Sequence, residues 1–223
     1  SEASTPSDLA LCAKYEFLWE RTEVGLSVWY KPSFKPVLGL DFSSFYNGWD
    51  VKGEWSICGG ANANQVLSDG SGGWAVGRRP DTLTHQIALN FSRSFNWERA
   101  DRIGLSYEIY YNGNGYQENI LTDTVAKSLL LNNNLYQTNQ LSSLYQAFFV
   151  TIGEFPDRSN QTLLSGIWNA IDRSAILSLS VSQAITDGFS MSASAVGFLG
   201  SDDTEYLLQG NTVQLQLGGQ LAF

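Results

Sequence analysis

The feature that most constrains this chain is an alternation of apolar and polar residues with a period of two. It is clearest in the last twelve residues, where one phase is apolar apart from a glycine and the other is mostly polar. The first phase is Val213, Leu215, Leu217, Gly219, Leu221 and Phe223, and the second is Thr212, Gln214, Gln216, Gly218, Gln220 and Ala222. This period predicts a β-strand, in which successive side chains point to opposite faces.

The alternation recurs along the chain and, with two further segments, predicts eleven strands. Alternating segments lie near residues 11–20, 23–31, 38–43, 49–57, 83–95, 102–111, 177–182, 190–195 and 212–223. Residues 142–152 and 162–170 are apolar on both faces, so their strand prediction rests on length and β-propensity. Most of these strands are about ten residues long, which is the length that a tilted strand needs to cross a bilayer.

The bulk composition agrees with strands rather than with membrane helices. No run of about 18 apolar residues occurs, so no helical membrane span is predicted. A hydrophobic content of 43% suits a membrane barrel, whose strands expose only alternate residues to lipid. The net charge of −9 argues against nucleic acid and anionic surfaces as partners. Cys12 and Cys58 either pair in an oxidising compartment or stay as thiols.

The connections test the strand count independently. Short ones contain Asn47-Gly48 and Asp187-Gly188, which are strong signals for tight turns. The long ones are 58–81, 112–141 and 200–211. If the last strand ends in the periplasm, strand parity places all three long connections outside and the short turns inside, as in outer-membrane barrels. We therefore predict an all-β chain forming one antiparallel up-and-down transmembrane β-barrel unit over residues 1–223, with a soluble β-sandwich as the competing fold.

An odd number of strands does not fit a conventional single-chain bacterial barrel, which closes with an even number. One explanation is a strand missed in the count, which would make twelve. The other, which we favour, is that the chain is the carboxy-terminal part of a larger barrel. The strand near residues 11–20 would then pair with a strand preceding Ser1 or with another chain, and residues 1–8 would lie in an outer loop.

Three stretches resemble a known group of proteins. The terminal alternation ending at Phe223 resembles the assembly signal of Gram-negative outer-membrane barrels. The segment Glu108-Ile-Tyr-Tyr-Asn-Gly-Asn-Gly-Tyr116 resembles the "EYYYNGxGY" segment of large porin-like and export barrels of proteobacteria. The segment Phe198-Leu-Gly-Ser-Asp-Asp-Thr-Glu205 resembles their "FxGxxDTE" loop. The resemblance implies an outer-membrane location, passage or export of small solutes, and recognition of the last strand by the barrel assembly machinery.

The polar phase of the strands carries the candidate functional residues. Since a charge facing the bilayer midplane costs about 2–4 kcal/mol, charged side chains are expected to face the lumen. The pore-lining candidates, four basic and seven acidic, are Lys14, Glu16, Glu20, Glu23, Lys31, Asp41, Asp50, Lys52, Glu54, Arg102 and Glu108. The excess of carboxylates predicts a water-filled, weakly cation-preferring channel. The alternative is a lumen whose charges simply pair with one another.

Other residues offer little catalytic or metal chemistry. His85 is the only histidine and lies on the apolar phase, so a triad enzyme is not expected and no cofactor or metal is predicted. Asp202, Asp203 and Glu205 are expected to be a solvated loop rather than a divalent-ion site. Thr122 or Asp123 is predicted to cap a short helix, which either constricts the pore or lies across its rim.

The aromatic residues at strand ends predict an interfacial girdle. Trp19, Trp49, Tyr30, Tyr111 and Phe95 all lie on the apolar phase, where amphipathic rings suit the membrane surface. Two functions remain open. The first is an outer-membrane channel or porin in contact with lipid and lipopolysaccharide. The second is a structural barrel that anchors or scaffolds a partner in a larger outer-membrane assembly.

Overall fold

The structure is a computed structural model that describes residues 9–79, 82–155, 159–208, 210 and 212–221, without the side chains of residues 99–102. It contains thirteen strands and one α-helix, α1 (Thr124–Asn132). The strands are β1 (Leu11–Trp19), β2 (Thr22–Tyr30), β3 (Val37–Tyr46), β4 (Trp49–Gly59), β5 (Gln65–Ser68), β6 (Trp74–Gly77), β7 (Leu83–Trp97), β8 (Arg99–Asn112), β9 (Leu144–Gly153), β10 (Asn160–Asn169), β11 (Ser174–Thr186), β12 (Phe189–Leu199) and β13 (Val213–Leu221).

Eleven of the strands form one antiparallel sheet in which each strand pairs with the next along the chain, with β7 following β4. The two remaining strands, β5 and β6, form a separate hairpin. The predicted all-β, antiparallel up-and-down architecture with eleven main strands is therefore confirmed. Within the described residues β1 and β13 are not paired with each other, so the sheet is open.

The helices are short. Besides α1, the described residues form two 3₁₀ helices, Ile120–Thr122 and Glu205–Leu207. No helix in the described part of the chain has the length and apolar character that crossing a membrane requires.

Cross-strand pairing gives the sheet two chemically different faces. We call the side that carries Lys14, Asp41 and Glu54 the polar face. The side that carries Tyr15, Leu40 and Trp55 is the apolar face. One hydrogen-bonded row of the polar face runs through Glu16, Gly25, Asp41, Glu54, Ala88, Tyr110, Tyr145, Asn169 and Ser174. The polar residues of all the alternating strands therefore lie on the same side of the sheet.

The apolar face is exposed along most of the sheet. Large apolar side chains are solvent-accessible on strands from β1 to β13, among them Leu26, Leu105, Leu179 and Leu217. A contiguous apolar surface of this extent is not stable in water, and an antiparallel meander that carries one is the architecture of outer-membrane barrels. The chain is accordingly an outer-membrane β-sheet, as the sequence predicts.

The turns follow their local sequence. In the β3–β4 turn Asn47 and Gly48 have φ values of 51° and 82°, which a type I′ hairpin turn requires and which asparagine and glycine tolerate. The connection between β7 and β8 is very short. Strand β7 runs to Trp97 and β8 begins at Arg99, so only Glu98, with φ 59°, turns the chain.

The predicted girdle residues lie at strand ends on the apolar face. Trp49 and Phe95 meet edge to face, with ring centroids 6.5 Å apart, at the end of the sheet that carries the short turns. The guanidinium of Arg93 lies over both rings, 5.6 Å and 5.1 Å from their centroids. These cation–π contacts hold the one charged side chain of this group at the rim of the apolar surface.

The two faces of β13 are expected to differ in their surroundings when the protein is in lipid. Leu215 and Leu217 on the apolar face are 76% and 85% exposed, so lipid is their natural contact. A spin label at 215 should respond mainly to a lipid-soluble quencher, and a label at 216 to a water-soluble one. Labels at 193 and 194 on the neighbouring strand serve as a second pair. Equal accessibility at 215 and 216 would contradict the membrane orientation.

Candidate functional site

Three carboxylates line up across the first strands of the polar face. Glu16 of β1, Asp41 of β3 and Glu54 of β4 share one hydrogen-bonded row, with Gly25 of β2 between the first two. Gly25 creates the space that the Asp41 carboxylate occupies, because a Cβ at position 25 would stand 2.5 Å from Asp41 Oδ2. The row therefore presents a band of negative charge along the sheet.

Lys14 is the cation of this band. Its Nζ lies 2.7 Å from Glu16 Oε1 and 3.2 Å from Asp41 Oδ1. The side chains are between 36% and 53% exposed, and ion pairs this accessible contribute about 0–1 kcal/mol to stability. One ammonium against three carboxylates leaves the group with a net negative charge. Because the side chains of Lys14, Glu16 and Asp41 are exposed, solutes can reach these charges.

A cavity of about 490 Å³ opens beside this charged band. Its polar-face walls include Lys14, Asp41, Glu54, Gln86 and Tyr110. The lining residues come from the strands between β1 and β8, and the polar face is the side of the sheet that faces the lumen in a barrel.

The remaining pore-lining candidates differ in their placement. Glu23, Asp50, Lys52 and Glu108 also lie in strands on the polar face, so the candidates whose side chains are described there are two lysines and six carboxylates. Two others lie outside the strands: Glu20 in the β1–β2 turn with φ 56°, and Lys31 after β2 with its Nζ 5.4 Å from the Phe34 ring centroid. The side chain of Arg102 and the whole of Phe223 lie outside the described residues.

The three long connections lie at one end of the sheet. We call this end the mouth; it comprises the β4–β7, β8–β9 and β12–β13 connections. An apolar cluster at the mouth joins the β5–β6 hairpin to α1 and the segment after it: Val66, Ile120, Leu121, Ala126, Leu130 and Leu141. The assignment of the mouth to the extracellular side stays a prediction.

Helix α1 begins where the sequence predicts. Asp123 Oδ1 accepts hydrogen bonds from the backbone N–H groups of Ala126 and Val125, at 3.0 and 2.9 Å, as an N-cap. The bond from Ala126 is the main reason why the pKa of Asp123 lies below its ordinary value. The helix packs on the hairpin, whereas Gln140 after it reaches the polar face and accepts from Tyr110 and Asn112.

A buried carboxylate fixes the mouth to the strands. Glu205 is 1% exposed. Its Oε2 accepts hydrogen bonds from Tyr145 Oη of β9 and Asn169 Nδ2 of β10, both at 2.7 Å. Its Oε1 accepts from the Asn139 backbone N–H at 2.7 Å, and its own N–H donates to Asp172 Oδ2 at 2.6 Å. This one side chain joins the β12–β13 connection, the β8–β9 connection and two strands.

Burial dominates the electrostatics of Glu205. It raises the pKa of this carboxyl to about 7, against the opposing effect of the donors on Tyr145, Asn139 and Asn169. The neighbouring Asp172 raises it further. The carboxyl therefore titrates near neutral pH at the mouth.

The sequence interpretation of the acidic loop was wrong for Glu205. Its neighbours behave differently: Asp202 is exposed, and Asp203 pairs with Lys127, with 3.1 Å between Nζ and Oδ1. The three carboxylates do not converge on a metal site in the described structure. The two segments that resemble those of porin-like barrels, 108–116 and 198–205, are linked through one residue. Tyr110 of the first segment stacks on Tyr145, and Tyr145 donates a hydrogen bond to Glu205 of the second.

His85 and the cysteines lie away from these features. The His85 ring stacks on Trp55 of the apolar face at 5.9 Å, and its Nδ1 accepts from Trp55 Nε1 at 3.2 Å. Cys12 and Cys58 are free thiols on β1 and β4.

No family model and no curated protein matches this sequence. Among solved structures, the fold is similar to outer membrane phospholipase A from Escherichia coli, with 10% sequence identity and a TM-score of 0.41. The similarity covers 96% of this chain and 79% of that one. At this identity and TM-score, it assigns neither an activity nor a substrate to this chain.

Proposed function

We propose that the chain forms part of the wall of an outer-membrane channel for small solutes, with a weak preference for cations. The observation that supports this function is the row of Glu16, Asp41 and Glu54 beside an open cavity, with Lys14 as the only cation of the group. Rings of carboxylates concentrate cations in a pore. The described side chains of the polar face include two lysines and six carboxylates from the pore-lining candidates, so the surplus of negative charge extends beyond this row.

The proposed channel is not an enzyme. The only histidine lies on the apolar face and is engaged by Trp55, away from every carboxylate of the row. His85 is therefore not placed to act as a general base on a solute in the lumen.

The charge row predicts the ion selectivity of the assembled channel in planar bilayers. At about 4 Å and water-like screening, one carboxylate attracts a monovalent cation by about 1 kcal/mol. The double variant Asp41→Asn, Glu54→Gln should therefore lower the cation-to-anion permeability ratio, by up to about fivefold per charge. Asp187→Asn, in the short β11–β12 turn, is the matched control. Reversal potentials in a salt gradient measure the ratio, and an unchanged ratio in the double variant would refute the proposal.

A scaffolding role is the second candidate, and the edges of β1 and β13, which have no strand partner among the described residues, favour it. Backbone N–H and C=O groups inside a bilayer need partners, which a strand from another chain or another part of a larger barrel would supply. Correctly folded protein that carries no current would support this role over the channel. In either case we propose that the barrel assembly machinery recognises β13, because its alternation resembles the assembly signal of outer-membrane barrels.

A further inference from the structure

A second cavity, of about 330 Å³, lies at the mouth between the polar face of β7 and β8 and the loops above it. Eight of the thirteen residues that line it are asparagine or glutamine. They include Asn64, Gln65, Gln86, Asn112, Asn114 and Gln140. No charged side chain lines this cavity in the part of the chain that the structure describes. Its chemistry therefore differs from that of the charged cavity further along the strands.

Some of the carboxamides are already organised by one another. Gln86 Nε2 donates to the side-chain Oδ1 of Asn112 at 3.1 Å, and Asn112 Nδ2 donates to the main-chain carbonyl of Gln140 at 3.0 Å. Gln65 Nε2 donates to the main-chain carbonyl of Asn114 at 2.6 Å. Each carboxamide offers two donors and an acceptor oxygen with two lone pairs. The mutual bonds use part of this capacity and hold the walls in place.

Two acceptors of the cavity residues are buried without a partner. They are Gln65 Oε1 and Asn114 Oδ1, and the described residues contain only one other such side-chain atom, Asn160 Oδ1. A buried polar atom without a hydrogen bond costs about 1–3 kcal/mol. Both atoms belong to residues that line the same cavity, so this wall carries hydrogen-bonding capacity that the protein itself does not use.

The lining selects the chemical class of that ligand. An ion would find no counter-charge and would lose its hydration, and an apolar molecule would leave the amides unpaired. A hydroxyl both donates and accepts, as a carboxamide does. Tyr116 and Leu141 add apolar surface to the wall. The volume lies at the lower end of the range of small-molecule sites, which begins at about 300 Å³.

We propose that this cavity binds a neutral, hydroxyl-rich solute, a short saccharide. Gln86 lines both this cavity and the charged one, so the bound solute would lie at the entrance to the charged region. The proposal goes beyond the channel function, because binding at the mouth requires neither a current nor a closed barrel.

Titration calorimetry on the full chain, folded in a detergent without a sugar headgroup, tests the proposal. Maltose, lactose and trehalose are the neutral probes, and glucuronate and a polyamine are the charged ones. At least one neutral saccharide should bind, and Asn64→Leu and Gln65→Leu should each weaken its binding about tenfold, as loss of one ligand hydrogen bond predicts. Gln214→Leu, a carboxamide change on the polar face of β13, should leave binding unchanged.

The outcomes separate this inference from the proposed function. Three results would each overturn the saccharide proposal. They are the absence of any neutral saccharide that binds tighter than about 10 mM, equal affinities in the three variants, and tighter binding of a charged probe. Circular dichroism confirms that each variant folds, and the exposed Asn64 provides a variant that does not disturb buried groups. Protein that conducts but binds no saccharide refutes only this inference, and protein that binds but does not conduct refutes only the channel.

Discussion

Arginine in place of Ala193 is expected to destabilise the folded protein by about 2–4 kcal/mol, because the side chain would enter lipid near the bilayer midplane. Ala193 lies near the centre of β12 on the apolar face, and Ser194 beside it lies on the polar face. A guanidinium at position 193 would lose hydration without gaining a partner. The same substitution at Ser194 enters the lumen side and should change stability little.

The adjacent pair is a matched test of orientation, since both positions belong to one strand and receive the same side chain. Urea unfolding of protein in lipid vesicles, followed by tryptophan fluorescence, measures the free energy of unfolding. Loss of the heat-modifiable band in electrophoresis reports failed assembly. Equal losses at 193 and 194, or a larger loss at 194, would show that the two faces of β12 are not lipid and lumen.

Alanine in place of Glu205 is expected to release the mouth from the strands. Three donors, on Tyr145, Asn169 and the Asn139 backbone, would lose their acceptor, at about 1–3 kcal/mol for each donor left unpaired. Limited proteolysis should then cut the β8–β9 and β12–β13 connections faster than in the unmodified protein. Asp202→Ala, an exposed carboxylate of the same loop, is the control and should change neither proteolysis nor stability. Unchanged proteolysis in Glu205→Ala would mean that Glu205 does not hold the mouth.

Because the pKa of Glu205 is raised in the folded protein, the contribution of Glu205 to stability decreases as the pH rises. The carboxyl titrates at about 7 in the folded protein and near 4.5 when exposed, so the folded state binds the proton more tightly between these values. Its contribution to stability is full below about pH 4.5 and is lost as the pH rises through 7. In Glu205→Gln this part of the pH dependence should disappear, and a pH profile as steep as that of the unmodified protein would contradict the assignment.

The strands could be predicted from the sequence because their signal is local. Each face of β12 or β13 repeats every second residue, because an apolar environment on one face and a polar one on the other enforce that repeat. Turn and cap chemistry is equally local, so Asn47-Gly48 and Asp123 also behave as expected. The β5–β6 hairpin was missed because its strands are four residues each, although Asp69 and the glycines after it are a turn signal.

The mouth could not be predicted, because it is assembled from residues far apart in the chain. Glu205 looks like its solvated neighbours Asp202 and Asp203, and only contacts with Tyr145 and Asn169, 60 and 36 residues away, bury it. The carboxamides of the mouth cavity come from four separate segments and carry no spacing that marks them as a group. Their common location follows from the folding of the loops over the polar face.

The contact of Arg93 with Trp49 and Phe95 also determines how deep the sheet sits in its membrane. On the same face of β7, the polar ring of His85 lies eight residues away, and only Ile87, Leu89 and Phe91 stand between the two on that face. Eight residues span about 26 Å along a strand, or about 20 Å along the membrane normal at a tilt near 40°. Arg93 marks one headgroup level and His85 marks the other. The distance between them matches a thin hydrocarbon layer, such as that of the outer membrane.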